Sequence, residues 1–438
     1  MRRRTVIGVL VGLAACQASD FDFVTNSFRT DGFSGDPFPI YVDTSSGALL
    51  VGYQEIGSND PPQAALLDIM APISVFETNA ADGVSVRDVG LTIFGMSQAT
   101  GQLSVPRAQF RGSITNLQAC PDEGCVVGPA TAPRPITAIL GSDNLTGDAL
   151  RLRFDLSQIF VLPNIGPSDN GERTKLCDAV FSSPFRGGGT LLLGNTEVPF
   201  SGRRIALSAC AAADPRSLIP QSQRGTNLLL VASTAIGPTL LSETAYRNYQ
   251  LAHPTEAALE ALPAAEFWLP SGLVRGRIGK LTNLTLAAES SEGRGACREA
   301  YAHHLLFTRT CSDTDDCPCI DAGNCGAPAL LELAPTTGVR VLVVADDNTT
   351  LQGLRTELRP DQAEVDGVLG TEALRTIELD IDYPHGRVLA RCVDANDATC
   401  KTRPTLSTTG ARADIACCIL PECCNPDPNN VPAQCLAP

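Results

Sequence analysis

Short apolar runs broken by turn residues dominate the chain, and helical stripes are scarce, the pattern of a mainly β protein. Phe38-Pro39-Ile40-Tyr41-Val42 predicts a first strand, Asp43-Thr44-Ser45-Ser46-Gly47 a turn, and Ala48-Leu49-Leu50-Val51-Gly52-Tyr53 the return strand. A matching hairpin is expected from Glu197-Val198-Pro199-Phe200, the turn Ser201-Gly202-Arg203-Arg204 and the strand Ile205-Ala206-Leu207-Ser208. One segment carries strong helix formers between two prolines. Residues 256–262, between Pro254 and Pro263, predict a short surface helix.

The apolar runs repeat in a fixed order. Leu66-Leu67-Asp68-Ile69-Met70-Ala71-Pro72 enters a loop, and so does Leu230-Val231-Ala232-Ser233-Thr234-Ala235. Thr115-Asn116-Leu117 is matched by Thr282-Asn283-Leu284, and Ile139-Leu140-Gly141-Ser142-Asp143 by Val368-Leu369-Gly370-Thr371-Glu372. The stretch from Asn283 to Gly370 exceeds that from Asn116 to Gly141 by about sixty residues, which implies an insertion over about 287–343. A buried loop of that length would leave many backbone groups unpaired, so it is expected at the surface. The implied organisation is a first β lobe over 37–165, an inter-lobe linker over 166–190, and a second β lobe over 191–391. A Cys-rich tail follows over 392–438. It has almost no apolar run and needs cross-links for order.

The termini and the cysteines set the compartment. Arg2, Arg3 and Arg4 precede an apolar run, Val6 to Leu13, that is too short to span a bilayer. Leu13-Ala14-Ala15-Cys16 resembles the lipobox of bacterial lipoproteins, with small residues before the cleaved bond and a thiol to take the lipid. Residues 1–15 are therefore expected as a signal peptide, Cys16 as the lipidation site and 16–36 as a tether. Of the 17 Cys, one would carry lipid and the remaining even number suits disulfides in an oxidising compartment. The formal net charge of −15 argues against a nucleic-acid partner.

With these landmarks the chain resembles the pepsin-like and retropepsin-like aspartic proteases over roughly 37–391, without the insertion. The resemblance implies two pseudo-twofold-related lobes, each giving an Asp-Thr/Ser-Gly loop above a crossing apolar-apolar-Gly motif. Leu67 to Phe76 fits the first loop and Ile139-Leu140-Gly141 its crossing strand; Leu229 to Ala235 fits the second, with Val368-Leu369-Gly370. Leu374, Leu379 to Pro384 and Arg387-Val388-Leu389 resemble the closing strands of a retropepsin lobe. In this alignment Asp68 is the sole remaining catalytic candidate and Ala232 stands at the second acid position. Met70 and Thr234 replace loop glycines, and Ile69 replaces the first hydroxyl residue. Asp43-Thr44-Ser45 is placed at a hairpin.

The departures bear on mechanism. Aspartic-type hydrolysis needs two carboxylates close enough to share one proton, one acting as base and the other as acid. Ala232 can do neither, and side chains at Met70 and Thr234 are expected to fill the space that glycines leave open. The structural reading of Asp68 is a loop carboxylate bonded to nearby backbone N–H groups. Other chemistry is thinly supported. His303-His304 and Cys317-Pro318-Cys319 lack a coherent zinc set, and Asp313 to Asp316 lacks the features of a calcium loop. No G-x-S-x-G elbow is present, and His253 and His385 are expected at the surface. Trp268, the single Trp, is expected in packing. No metal or cofactor is expected. The expected function is that of a lipid-anchored, disulfide-rich envelope pseudoenzyme, expected at the outer membrane, that binds a peptide or protein partner. The alternatives are an active peptidase using Asp68 with an acid from elsewhere, or a purely structural surface lipoprotein.

Overall fold

A computed structural model describes residues 36–403, apart from 77–84, 100, 117–124, 146–147, 164–180, 185–188, 194–195, 201–203, 212–224, 283, 288–329, 335–336, 359–363, 384–386 and 394–399. Cys16, residues 1–15 (expected as a signal peptide), His303, His304, His385, most of the expected insertion and most of the tail lie outside the described residues. The fold is mainly β and two-lobed.

In the first half, β1 (Asp36–Pro39) and β2 (Tyr41–Val42) lead to β3 (Leu49–Glu55), β4 (Gln63–Leu67) and β5 (Val75–Phe76). The long hairpin β6 (Ser85–Met96) and β7 (Leu103–Asn116) follows, then the short β8 (Val126–Pro129) and β9 (Arg134–Pro135). β10 (Ala138–Leu140), β11 (Asp148–Arg153) and β12 (Gln158–Pro163) end this half. Between the halves lie β13 (Phe181–Pro184), β14 (Gly189–Leu193) and β15 (Thr196–Phe200). The second half opens with β16 (Ala206–Ala211), β17 (Thr226–Ala232), β18 (Thr239–Ser242) and helix α1 (Glu243–Ala252). It continues through β19 (Ala264–Leu269), β20 (Gly272–Leu281), β21 (Leu284–Ala287), β22 (Leu330–Leu333) and β23 (Val339–Val344). Helix α2 (Thr349–Glu357), β24 (Gly367–Leu369), β25 (Ile377–Asp382), β26 (Arg387–Cys392) and β27 (Cys400–Arg403) complete it.

The repeat seen in sequence is a repeat of topology. Six strands of the first half run in the order β3-β4-β10-β5-β7-β6, and six of the second run β16-β17-β24-β18-β23-β20. Their directions alternate identically, antiparallel then parallel, through all five neighbouring pairs. Pairing of β6 with β3 closes the first set into a barrel, and β21, continuing β20, pairs with β16 to close the second. The central strands β10 and β24 are buried throughout, as expected for strands covered on both faces.

A third sheet, β1-β12-β11-β25-β26-β13, takes strands from both halves. β11 meets β25 antiparallel, with Arg151 directly opposite Asp380. Arg151 lies ten residues after Gly141 and Asp380 ten after Gly370, so the two are counterparts and meet on the local twofold axis. Repeated residues there would face their own kind. Instead the Arg151 Nε donates to Asp380 Oδ1 at 2.6 Å and approaches Glu378 Oε1 at 3.1 Å, with all three side chains buried.

Several expectations change. The segment 256–262 holds only a 3-10 turn, Leu259–Ala261. The flanking prolines leave room for only this one turn, which buries Leu259 and is followed by buried Leu262. Helix α1 lies just before it, capped by the Ser242 hydroxyl accepting from the Ala245 amide and burying Ala245, Tyr246 and Tyr249. β15 pairs with β14 rather than forming a hairpin with β16. Part of the linker, β13, joins the shared sheet. Val339–Val344 takes the place of β7 in the second barrel, so the inserted stretch stops short of it. Asn116 ends β7, whereas Thr282 follows β20, so the two Thr-Asn-Leu triplets are not structural counterparts. Cys392 and Cys400 form a disulfide, and Cys125 and Cys210 are each disulfide-bonded to another cysteine. Among the described residues no helix is long and apolar enough to cross a membrane.

Candidate functional site

The two loops named in the sequence meet at the junction of the lobes. Each begins where a barrel strand ends beside its buried crossing strand. Leu67 is in register with Leu140, and Ala232 with Leu369. The next residues are Asp68 and Ser233, and their amides donate to the Leu140 and Leu369 carbonyls at 3.0 Å each. The counterpart of Asp68 is therefore Ser233. Ala232, expected at the second acid position, is the last residue of β17 and lies in the core.

The loops match residue for residue onward. The Ser142 amide donates to Ala71 O at 2.9 Å and the Thr371 amide to Ile236 O at 2.8 Å. The Ser74 hydroxyl accepts from the Gly141 amide at 2.9 Å and the Thr239 hydroxyl from the Gly370 amide at 3.4 Å. These hydroxyls were the missed signal: counting back six residues from Ser74 and from Thr239 reaches Asp68 and Ser233.

Side chains then link the loops across the axis. Oδ1 of Asp68 accepts from Ser233 Oγ at 2.9 Å, from the Met70 amide at 3.0 Å and from the Thr234 amide at 3.1 Å. The Thr234 hydroxyl accepts from the Ile69 amide at 3.1 Å and donates to Leu67 O at 2.6 Å. Ile69 holds the matching place in the first loop and cannot reciprocate. Asp68 is 3% exposed. Burial raises its pKa above the usual carboxylate range; the donors from Met70, Ser233 and Thr234, and the Arg204 charge, offset only part of that. Burial, followed by the negative charges of Asp68 and Asp143, also raises the Tyr383 phenol.

The surroundings are packed. Met70 is half-buried against the second-lobe core, and Ala71 packs against a cluster containing Ala235. Gly47, at φ +71°, lies so close to Gly237 that a Cβ would strike its backbone. The Leu49 amide donates to Thr234 O at 2.8 Å and the Gly237 amide to Ser46 O at 2.8 Å. The 43–47 turn thus belongs to the scaffold of the second loop. Its Asp43 carboxylate accepts from Ser45 Oγ at 2.5 Å and from the Ser46 amide and hydroxyl at 2.8 and 2.7 Å. Burial pushes its pKa up, but these donors outweigh it and the net direction is down. An apolar cavity of about 50 Å³, lined by Phe38, Val51, Leu67, Leu91, Leu150 and Ile159 among others, lies between the first barrel and the shared sheet.

Other candidates fall elsewhere. His253, expected at the surface, is buried, stacked on Tyr249 with ring centroids 4.2 Å apart, its Nδ1 3.0 Å from Tyr249 O. Trp268 is partly buried in β19. Among the described residues no group of three His, Cys, Asp or Glu is placed to hold a metal ion.

No family model and no curated protein matches the chain. Among solved structures, the chain is similar to conglutin gamma, a basic 7S globulin from lupine seeds. The identity is 9% and the TM-score 0.35, over 82% of this chain and 94% of that one.

Proposed function

We propose that the chain is a non-catalytic binding protein on an aspartic-protease-like scaffold, held at the cell envelope by lipid on Cys16. The observation that carries the reading is the Asp68–Ser233 pair. A hydroxyl stands where a second carboxylate would be needed, and it donates to the one that remains. Asp68 alone can accept a proton from water, but nothing then supplies a second carboxyl to protonate a carbonyl oxygen. Its carboxylate is also buried and held by three donors, which suits a structural tie between lobes. Among the described residues no other carboxyl bonds to Asp68, which weighs against a peptidase borrowing an acid from elsewhere. A scaffold retained without its acid pair fits a role in holding a peptide or protein partner, and fold alone does not name that partner.

The test is incubation of the purified chain with a mixed peptide library from acidic to neutral pH, beside Asp68→Ala. Intact peptides and a retained subset on the protein are expected. Cleavage that disappears in Asp68→Ala overturns the reading. The anchor is tested separately: Cys16→Ser should release the protein from the membrane fraction.

A further inference from the structure

The first lobe enters the second lobe's sheet through β8. Gly128 lies opposite Trp268 and Pro129 opposite Phe267, and the Ala130 amide donates to Glu266 O at 2.9 Å. β8 folds back on β9, with Val127 opposite Arg134. Val127 and Ile136 are buried in one cluster with Ala235 of the second loop, and Ala71 of the first packs against it. The hairpin 125–136 therefore spans the lobe junction and rests on both loops.

Its hold on β19 is short. Pro129 has no N–H to give. Gly128 sits at φ +104°, where a Cβ would lie 2.5 Å from the Cβ of Ser46. The sheet order ends β19-β8-β9, so without this hairpin β19 becomes an edge strand with open main-chain donors and acceptors. Such an edge accepts an extended peptide by strand addition, with alternate side chains setting preference.

We propose that the 125–136 hairpin is an internal strap over the β19 edge, and that an extended peptide segment of a partner takes its place there. This rests on the binding reading above and names its site. The peptide class follows from what it replaces: an extended apolar segment, β-branched where Val127 is buried and with Gly where Ser46 crowds the backbone.

The experiment uses the full chain, the wild type beside Gly128→Val, and a labelled peptide of the sequence Val126 to Thr131. Because Trp268 is the only Trp, quenching of its fluorescence reports β19 directly. Gly128→Val is expected to make Trp268 more accessible and to tighten peptide binding about tenfold, because the strap no longer competes. An accessible Trp268 without gain in affinity overturns the proposal, and so does an unchanged Trp268. Should Gly128→Val fail to fold, amide exchange in the wild type decides. Saturating peptide should speed exchange at Ala130 while a scrambled peptide does not, and equal rates overturn the proposal. The mixed peptide library separates the two readings. Library peptides held by a wild type that ignores the strap peptide leave the binding reading intact and sink this one. Silence in both sinks both.

Discussion

The two loops share a backbone and divide the chemistry. Both make the same main-chain bonds to their crossing strands, with amide distances at Asp68 and Ser233 both 3.0 Å. Yet the side-chain donors that cross the axis belong to the second loop: the Ser233 hydroxyl gives to Asp68, and the Thr234 hydroxyl gives to Leu67 O. The first loop offers a carboxylate and an apolar Ile69. The same division recurs deeper on the axis, where Arg151 of one half meets Asp380 of the other. A repeated fold brings counterparts face to face. Two like charges there must share a proton or be driven from the interior. Here both meeting points are complementary instead, so the halves can be held together without shared protons.

The largest expected effect comes from breaking complementarity at the shared sheet. Arg151→Met strips the cation from buried Asp380 and should cost about 3–5 kcal/mol in urea unfolding. A loss near zero would mean that water reaches this pair. Next is Ser233→Asp, which makes the two loops alike. Two carboxylates would then meet at the distance of the present hydrogen bond, and the variant should lose about 3 kcal/mol at pH 7 and less in acid, where one proton is shared. Peptidase activity is not expected from it, because Met70 and Thr234 still pack the junction. An increase in stability at pH 7 would show that the loops can separate. Thr234→Val should cost about 2 kcal/mol, since it orphans the buried Ile69 amide. Ile69→Val, the matching change in the first loop, should cost about 1 kcal/mol through lost packing alone. Equal costs would erase the contrast between the loops.

Parts of this arrangement were legible in the sequence for physical reasons. Gly141 and Gly370 each pass so close to the loop of their own lobe that a Cβ would strike backbone: Ile73 O at 2.5 Å for Gly141, and the Gly237 carbonyl for Gly370. The crossing strands before them are buried on both faces, so their apolar-apolar-Gly signature is enforced twice. The register of the second loop was not legible within the run itself, only from Thr239 six residues beyond Ser233. Val231-Ala232-Ser233-Thr234-Ala235 is small and uncharged throughout, and nothing in it marks where the strand ends; a slip of one residue is the characteristic error in such a run. Helix α1 was hidden for a different reason. Thr244, Tyr246, Asn248 and Tyr249 are modest helix formers, and burial of the two Tyr side chains determines the helix. Thr282-Asn283-Leu284 misled because three identical residues carry no information about which strand they follow.

The last effect sharpens the comparison most, because its size depends on pH. Ser233→Ala removes one of three donors to Asp68 and should cost about 1 kcal/mol at pH 7. Burial has already raised the folded pKa of Asp68 above its unfolded value, and loss of a donor raises it further. A carboxyl raised in this way contributes stability below its unfolded pKa, and that contribution fades as pH rises through the folded pKa. The lost donor matters chiefly to the charged form. The gap between wild type and Ser233→Ala should therefore be widest at neutral pH and narrow as the pH falls toward the ordinary Asp range. Urea unfolding of both proteins at several pH values measures that gap. A gap that widens in acid would mean that the hydroxyl serves the neutral acid, accepting from Asp68 rather than donating to it.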